Sequence, residues 1–148
     1  MRDSMRSGMF FGFVLLSFVA LTFCGAADVQ AEDSPEALAQ TAAEAWLALV
    51  DTGSYDESWG NAATLFRGAV TKEQWHQAAK GVRQPLGKLI SRTLKSRTTK
   101  EKLPGAPDGL YVVIQFTTAY ENKAKAVETV TPMREADGSW RVSGYFIR

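Results

Sequence analysis

The sequence predicts an α+β domain, helices first and a mainly antiparallel sheet after them. Two changes of pattern predict it. Between Leu38 and Val82 apolar residues recur at three- and four-residue steps, the period of a helix face. From Leu86 onward the chain is rich in threonine, valine and aromatic residues, interrupted by short turn sequences.

A third observation concerns what precedes the domain. Arg2 and Arg6 make a short positive start, no charge occurs from Ser7 to Ala27, and small residues lead up to Ala31. That is the three-part pattern of a secretory signal. Residues 1–31 are therefore expected to be removed, and 32–148 to form one mature domain. Cleavage after Ala31 suits a peptidase pocket for small side chains; Ala27 is the second choice. The uncharged run is also long enough for an uncleaved membrane anchor. Cys24 is a weak lipidation candidate, because Phe23 stands where a small residue is wanted. The expected location is periplasmic or secreted.

Each element has its own signal. Ser34-Pro35-Glu36 starts a helix with a capping serine, a proline needing no amide partner, and an acid at the positive helix end. Leu38, Ala42, Ala45, Trp46 and Leu49 give it an apolar face as far as Val50, and Asp51-Thr52-Gly53 stops it. Ser54 to Glu57 and Thr71 to Gln74 read as capping boxes. The first opens a short helix carrying Trp59. The second opens a helix through Val82 with Trp75, Ala78, Ala79 and Val82 inward. A short helical piece with Leu65 and Phe66 lies between them. Gln84-Pro85 ends the last helix, since the residue before proline avoids helical angles.

Leu86 to Lys100 reads as a long polar edge strand, its lysines and arginines guarding the edge. Strands from Leu110 to Tyr120, Lys123 to Met133 and Ser139 to Ile147 follow, joined at Glu121-Asn122 and Asp137-Gly138. Two-residue turns would set Phe116 opposite Val127, Ile114 opposite Thr129, and Thr129 opposite Phe146. The core face would then carry Val112, Ile114, Phe116, Val127, Met133, Trp140, Val142 and Phe146. The other face would carry Tyr111, Val113, Gln115, Val130, Tyr145 and Ile147, with Glu128 among them. Such an apolar second face suggests a partner, a second copy, or a strongly curled sheet whose two faces both find cover.

Composition excludes several chemistries. Cys24 leaves with the signal and His76 is the one histidine, so no disulfide, thiolate site or ordinary zinc site is expected. No cofactor and no metal are expected. Net charge is +1 overall, but it runs −6 from Glu32 to Ala79 and +7 from Lys80 to Lys102. This is either internal complementarity or an anion-facing stripe. Export makes nucleic acid an improbable partner.

Two residues are catalytic candidates. His76 has the only side chain with a near-neutral reference pKa, although a half-exposed helix histidine is the commoner case. Glu128, among Val113, Val130 and Tyr145, is a candidate acid or base with a raised pKa, or else the partner of Arg141 or Lys123. Tyr55, Trp59 and Trp75, with Gln115, are candidates for binding a planar or apolar ligand, against the alternative that such aromatics fill the core. No phosphate loop and no nucleophile elbow occurs.

Helices followed by a long strand and hairpins resemble the nuclear transport factor 2-like, cystatin-like fold. The chain is similar, closer still, to the family of exported bacterial proteins called domain of unknown function 4019. The likeness rests on Ala45-Trp46-Leu47, Leu65-Phe66-Arg67, Gln84-Pro85-Leu86-Gly87, Leu103-Pro104-Gly105, Tyr111 to Phe116, Glu128-Thr129-Val130 and Trp140 to Tyr145. It implies helices on a curved four-stranded sheet with a cone-shaped pocket between them. It implies no activity, and no motif here receives the catalytic residues of enzymes sharing that architecture. The leading expectation is a non-catalytic domain binding a small apolar molecule or an envelope protein. The alternatives are a cofactor-free proton-transfer enzyme and a structural subunit dimerised through the sheet. Membrane contact is expected only through an uncleaved signal.

Overall fold

A computed structural model describes residues 33–148. The expected signal sequence lies outside them. Four helices precede four strands: α1 Pro35–Asp51, α2 Tyr55–Asn61, α3 Thr64–Ala69, α4 Lys72–Leu86, then β1 Leu89–Lys100, β2 Tyr111–Tyr120, β3 Lys123–Arg134 and β4 Trp140–Ile147. The strands form one open antiparallel sheet in the order β1-β2-β3-β4. The helices pack on one of its faces, and the core lies between the two layers.

Local chemistry explains the element boundaries. Ser34 caps α1, its hydroxyl accepting from the Ala37 amide at 3.2 Å. The Thr71–Gln74 capping box forms in both directions. The Ser54 box does not. Its hydroxyl bonds that of Thr52 at 3.1 Å instead, leaving α2 without a side-chain cap.

Pro85 does not end α4, which runs on to Leu86. So near a helix terminus, proline removes only one internal bond, and the last carbonyls find other partners. The Asn122 side chain donates to the Pro85 carbonyl at 3.0 Å, and the Asn122 amide to that of Leu86 at 2.9 Å. The β2–β3 turn thus closes the carboxyl end of α4.

Both longer helices bury a face rotated from the expected one. In α1 the buried residues are Ala39, Ala43, Trp46, Leu47 and Val50, while Leu38 is exposed. Alanines with no accessible surface let the helix sit close to the sheet. In α4 the inward side chains are Trp75, Ala79 and Arg83, and Val82 is exposed.

The sheet corrects the expected register. Tyr120 does pair with Lys123 across a two-residue turn, but an irregularity between Thr118 and Tyr120 shifts the ladder by one. Phe116 therefore faces Glu128, not Val127, and Ile114 faces Val130, not Thr129. Because side chains alternate, a single-residue slip exchanges the faces. Glu128, Val130 and, through its pairing with Val130, Tyr145 turn toward the helices. Val127, Met133 and Phe146 turn away. Thr129 pairs with Phe146 as expected. Tyr111, on the outer face, is still fully buried, because the loop before it folds over the ring and its hydroxyl donates to the Pro107 carbonyl at 2.7 Å.

Candidate functional site

The densest chemistry lies where the end of α1, the end of α4 and the middle of the sheet converge. Asp51 ends α1, Arg83 sits in the last turns of α4, Arg92 comes from β1, Thr118 from β2, Glu128 from β3 and Tyr145 from β4. Arg92 bridges the two carboxylates. Its guanidinium donates to Glu128 at 2.9 and 3.2 Å and to Asp51 at 2.8 and 2.9 Å. Arg83 donates to Asp51 at 2.6 Å and to the Tyr145 hydroxyl at 3.3 Å. The hydroxyls of Thr118 and Tyr145 each donate to Glu128, at 2.7 and 2.8 Å. The Arg83 guanidinium also stacks 4.9 Å from the centre of the Tyr120 ring.

Two cations and two anions thus neutralise one another around a carboxylate with no accessible surface. Burial alone would push the Glu128 carboxyl up. The hydrogen bonds from Arg92, Thr118 and Tyr145 outweigh it, and the group titrates below its ordinary range. That is the opposite of the raised value expected for a buried acid in an apolar strand. Asp51 is likewise held down by Arg92 and Arg83 against its own burial. Burial and the neighbouring Glu128 push the phenol of Tyr120 up to about 12, and raise that of Tyr145 as well. The cluster holds its protons where they are at neutral pH.

The other candidate residues fall in separate places. His76 lies on the outer side of α4, its Nδ1 2.7 Å from an Asp56 carboxylate oxygen, with both side chains largely exposed. Trp75 is buried against Trp46, Phe66 and Tyr145, with its indole N–H donating to the Ser58 hydroxyl at 2.9 Å. Trp46 donates to the Ser58 carbonyl at 2.7 Å. Half-buried Trp59 donates to the Val70 carbonyl at 2.9 Å and packs on the core. Tyr55 lines a cleft of about 210 Å³ shared with Val50, Asp51, Arg83, Lys88 and Glu121. Gln115 lies on the outer face of the sheet, opposite Thr129. The six candidates therefore do not converge on one site. Glu128 turns inward and Gln115 outward, so these two candidates lie on opposite faces of the sheet.

A second cavity, about 280 Å³, opens between α1 and the start of β4. Its walls are Ala42, Ala45, Trp46 and Leu49 from the helix, Trp140 and Val142 from the strand, with Asn61, Ser139 and Arg141 adding polar groups. Ala42, Ala45 and Leu49 belong to the helix face that periodicity assigned to the core. Rotation of α1 onto Ala39 and Ala43 leaves that stripe lining the groove instead. Among the described residues no cluster of three or more metal-binding side chains occurs.

The fold and this geometry define a small α+β domain with a self-neutralised buried ion network and an apolar groove. The family described as "Protein of unknown function (DUF4019)" matches residues 42–145, and the chain belongs to that family. No curated protein and no solved structure matches the chain.

Proposed function

We propose that this is an exported, non-catalytic binding domain of the cell envelope, built on a nuclear transport factor 2-like cone, that holds a small, mainly apolar molecule in the groove between α1 and β4. The observation that carries this reading is the composition of the groove. Two small alanines leave space beside two indoles, and Asn61, Ser139 and Arg141 stand at the side to orient a polar end. An apolar pocket with few polar groups is the usual form of a small-molecule site.

The ion network speaks against proton transfer. Glu128 is closed off from solvent and already accepts from Arg92, Thr118 and Tyr145, so it has no vacancy for a substrate proton. His76 shares no wall with the groove.

Native mass spectrometry of protein purified gently from its own compartment tests the reading. A retained small molecule is expected, and it should be lost from a folded Ala45→Trp variant, whose indole fills the groove. A protein that carries no added mass, and whose tryptophan emission is unchanged by a panel of small apolar acids and amides, refutes it.

A further inference from the structure

The sheet has a second face that the helices leave open, and its charge is one-sided. Glu128 is the only carboxylate in the four strands, and the register turns it inward. Lys100 pairs with Tyr111 and Arg148 with Val127 on the outer face, and Lys125 lies on the same side of β3 as Val127. These three cations stand near the margins. None is in an ion pair among the described residues.

Between the cations the surface is hydroxyl-rich. Thr93 faces Thr117, Ser96 faces Gln115, and Thr98 faces Val113. Phe146 projects from β4 with 44% of its surface exposed, the Arg148 guanidinium 5.1 Å from its ring centre. Most carboxylates lie elsewhere: from Asp33 to Leu86 the helical layer holds seven acidic residues against Arg67, Lys72, Lys80 and Arg83. The domain is therefore polarised, acidic on its helices and basic on its open sheet.

Charge decides what can cover this face. Two copies stacked sheet to sheet would bring these cations together with only Asp108, already paired with Lys102, near that face, which disfavours the sheet-to-sheet dimer held as an alternative from sequence. An anionic surface has the required complement. Cations spread around a broad face, with hydroxyl donors between them and one exposed aromatic ring, suit a layer of phosphate headgroups over an apolar interior.

We propose that the open face of the sheet docks on an anionic lipid bilayer, with Lys100, Lys125 and Arg148 against headgroup phosphates and Phe146 entering the interface. This departs from the expectation that membrane contact is limited to an uncleaved signal. It is independent of the groove, which lies on the other side of the sheet.

The test is co-sedimentation with phosphatidylcholine vesicles, with and without phosphatidylglycerol. Wild type and variants are purified from the same compartment, so that their amino termini match. Binding is expected only with phosphatidylglycerol and should weaken as salt rises. Lys100→Gln with Lys125→Gln should lower the partition coefficient at least tenfold, since each cation near such a surface contributes roughly fivefold. Phe146→Ser should lower it without changing the salt dependence. Circular dichroism checks that each variant is folded. Equal binding to neutral vesicles, or no loss in the folded double variant, overturns the proposal. So does capture by a soluble polyanion such as polyglutamate with no vesicle binding, which would assign the face to an acidic macromolecule.

Discussion

Arg92 on β1 and Glu128 on β3 meet across β2 through two hydrogen bonds of 2.9 and 3.2 Å, and the carboxylate between them is fully buried. The same guanidinium holds Asp51 of α1, so one side chain ties the edge strand, a central strand and the longest helix. Removing Arg92 strands a charge where water cannot reach it. Arg92→Met is expected to cost about 3–5 kcal/mol, the usual penalty for breaking a buried pair from one side. Arg92→Met combined with Glu128→Leu should cost less than the single change, because no uncompensated charge remains. Urea denaturation of both variants decides it. A single variant within about 1 kcal/mol of wild type would mean that Arg83 and water satisfy the network without Arg92.

The same geometry fixes a pH dependence. Glu128 and Asp51 both titrate lower in the folded protein than their ordinary values of 4.5 and 3.8. Between the folded and unfolded pKa values the unfolded chain binds more protons, so stability rises with pH there. The contribution is complete above about pH 5 and is lost as acid carries the protein through the folded values. Denaturant midpoints from pH 7 down to pH 3 should fall steeply below pH 5, and Glu128→Gln should flatten that limb while lowering the neutral plateau. A midpoint that instead falls on going from pH 5 to pH 7 would reverse the assigned direction.

Much of the fold was legible because its signals are local. Ser34-Pro35-Glu36, the Thr71–Gln74 box and the Asp137-Gly138 turn act within a few residues, and the helix starts and the place of the hairpin appear where they predict, although that turn holds three residues between Glu135 and Ser139, not two, and a register shift after Thr131 compensates. The ion network was not legible, for a physical reason. Its members come from six elements, and the side on which Glu128 falls depends on one irregularity between Thr118 and Tyr120. That single shift converted an outward, raised-pKa acid into an inward, saturated one. One signal was present: a lone acid among four strands must find a buried cation if it points inward. Arg92 also alternates with the apolar Leu94 on β1. The aromatic residues were legible as a group, but core and groove were not. Rotating α1 by one residue decides between them.

Ser58 is a second buried polar group whose small side chain carries several contacts. Its hydroxyl accepts from Trp75 at 2.9 Å and donates to the Tyr55 carbonyl at 2.8 Å, with no accessible surface. Ser58→Ala leaves a buried indole N–H unpaired and should cost roughly 1–3 kcal/mol. Ser58→Cys keeps a weak acceptor and should recover part of that. Trp75 emission should shift in the alanine variant. An alanine variant as stable as wild type would show that the indole finds another acceptor.

Gly87 joins α4 to β1 at the point where the β2–β3 turn closes the helix end. Its φ is +75°, a region that side chains avoid, and an added Cβ would stand 2.7 Å from a Glu121 carboxylate oxygen and 2.9 Å from the Glu121 Cβ. That carboxylate is not free to retreat, because it accepts from the Lys88 amide at 2.8 Å. Gly87→Ala therefore carries both backbone strain and a clash, and the expected loss is about 2–3 kcal/mol. Gly87→Ala with Glu121→Ala removes the carboxylate oxygen but also the partner of the Lys88 amide, and keeps the positive φ. It should therefore recover little. With ψ at −160° the backbone lies in a region essentially confined to glycine, so Gly87→Asn should lose as much as Gly87→Ala. If chemical denaturation ranks either variant equal to wild type, neither the backbone angle nor the close approach to Glu121 requires the glycine.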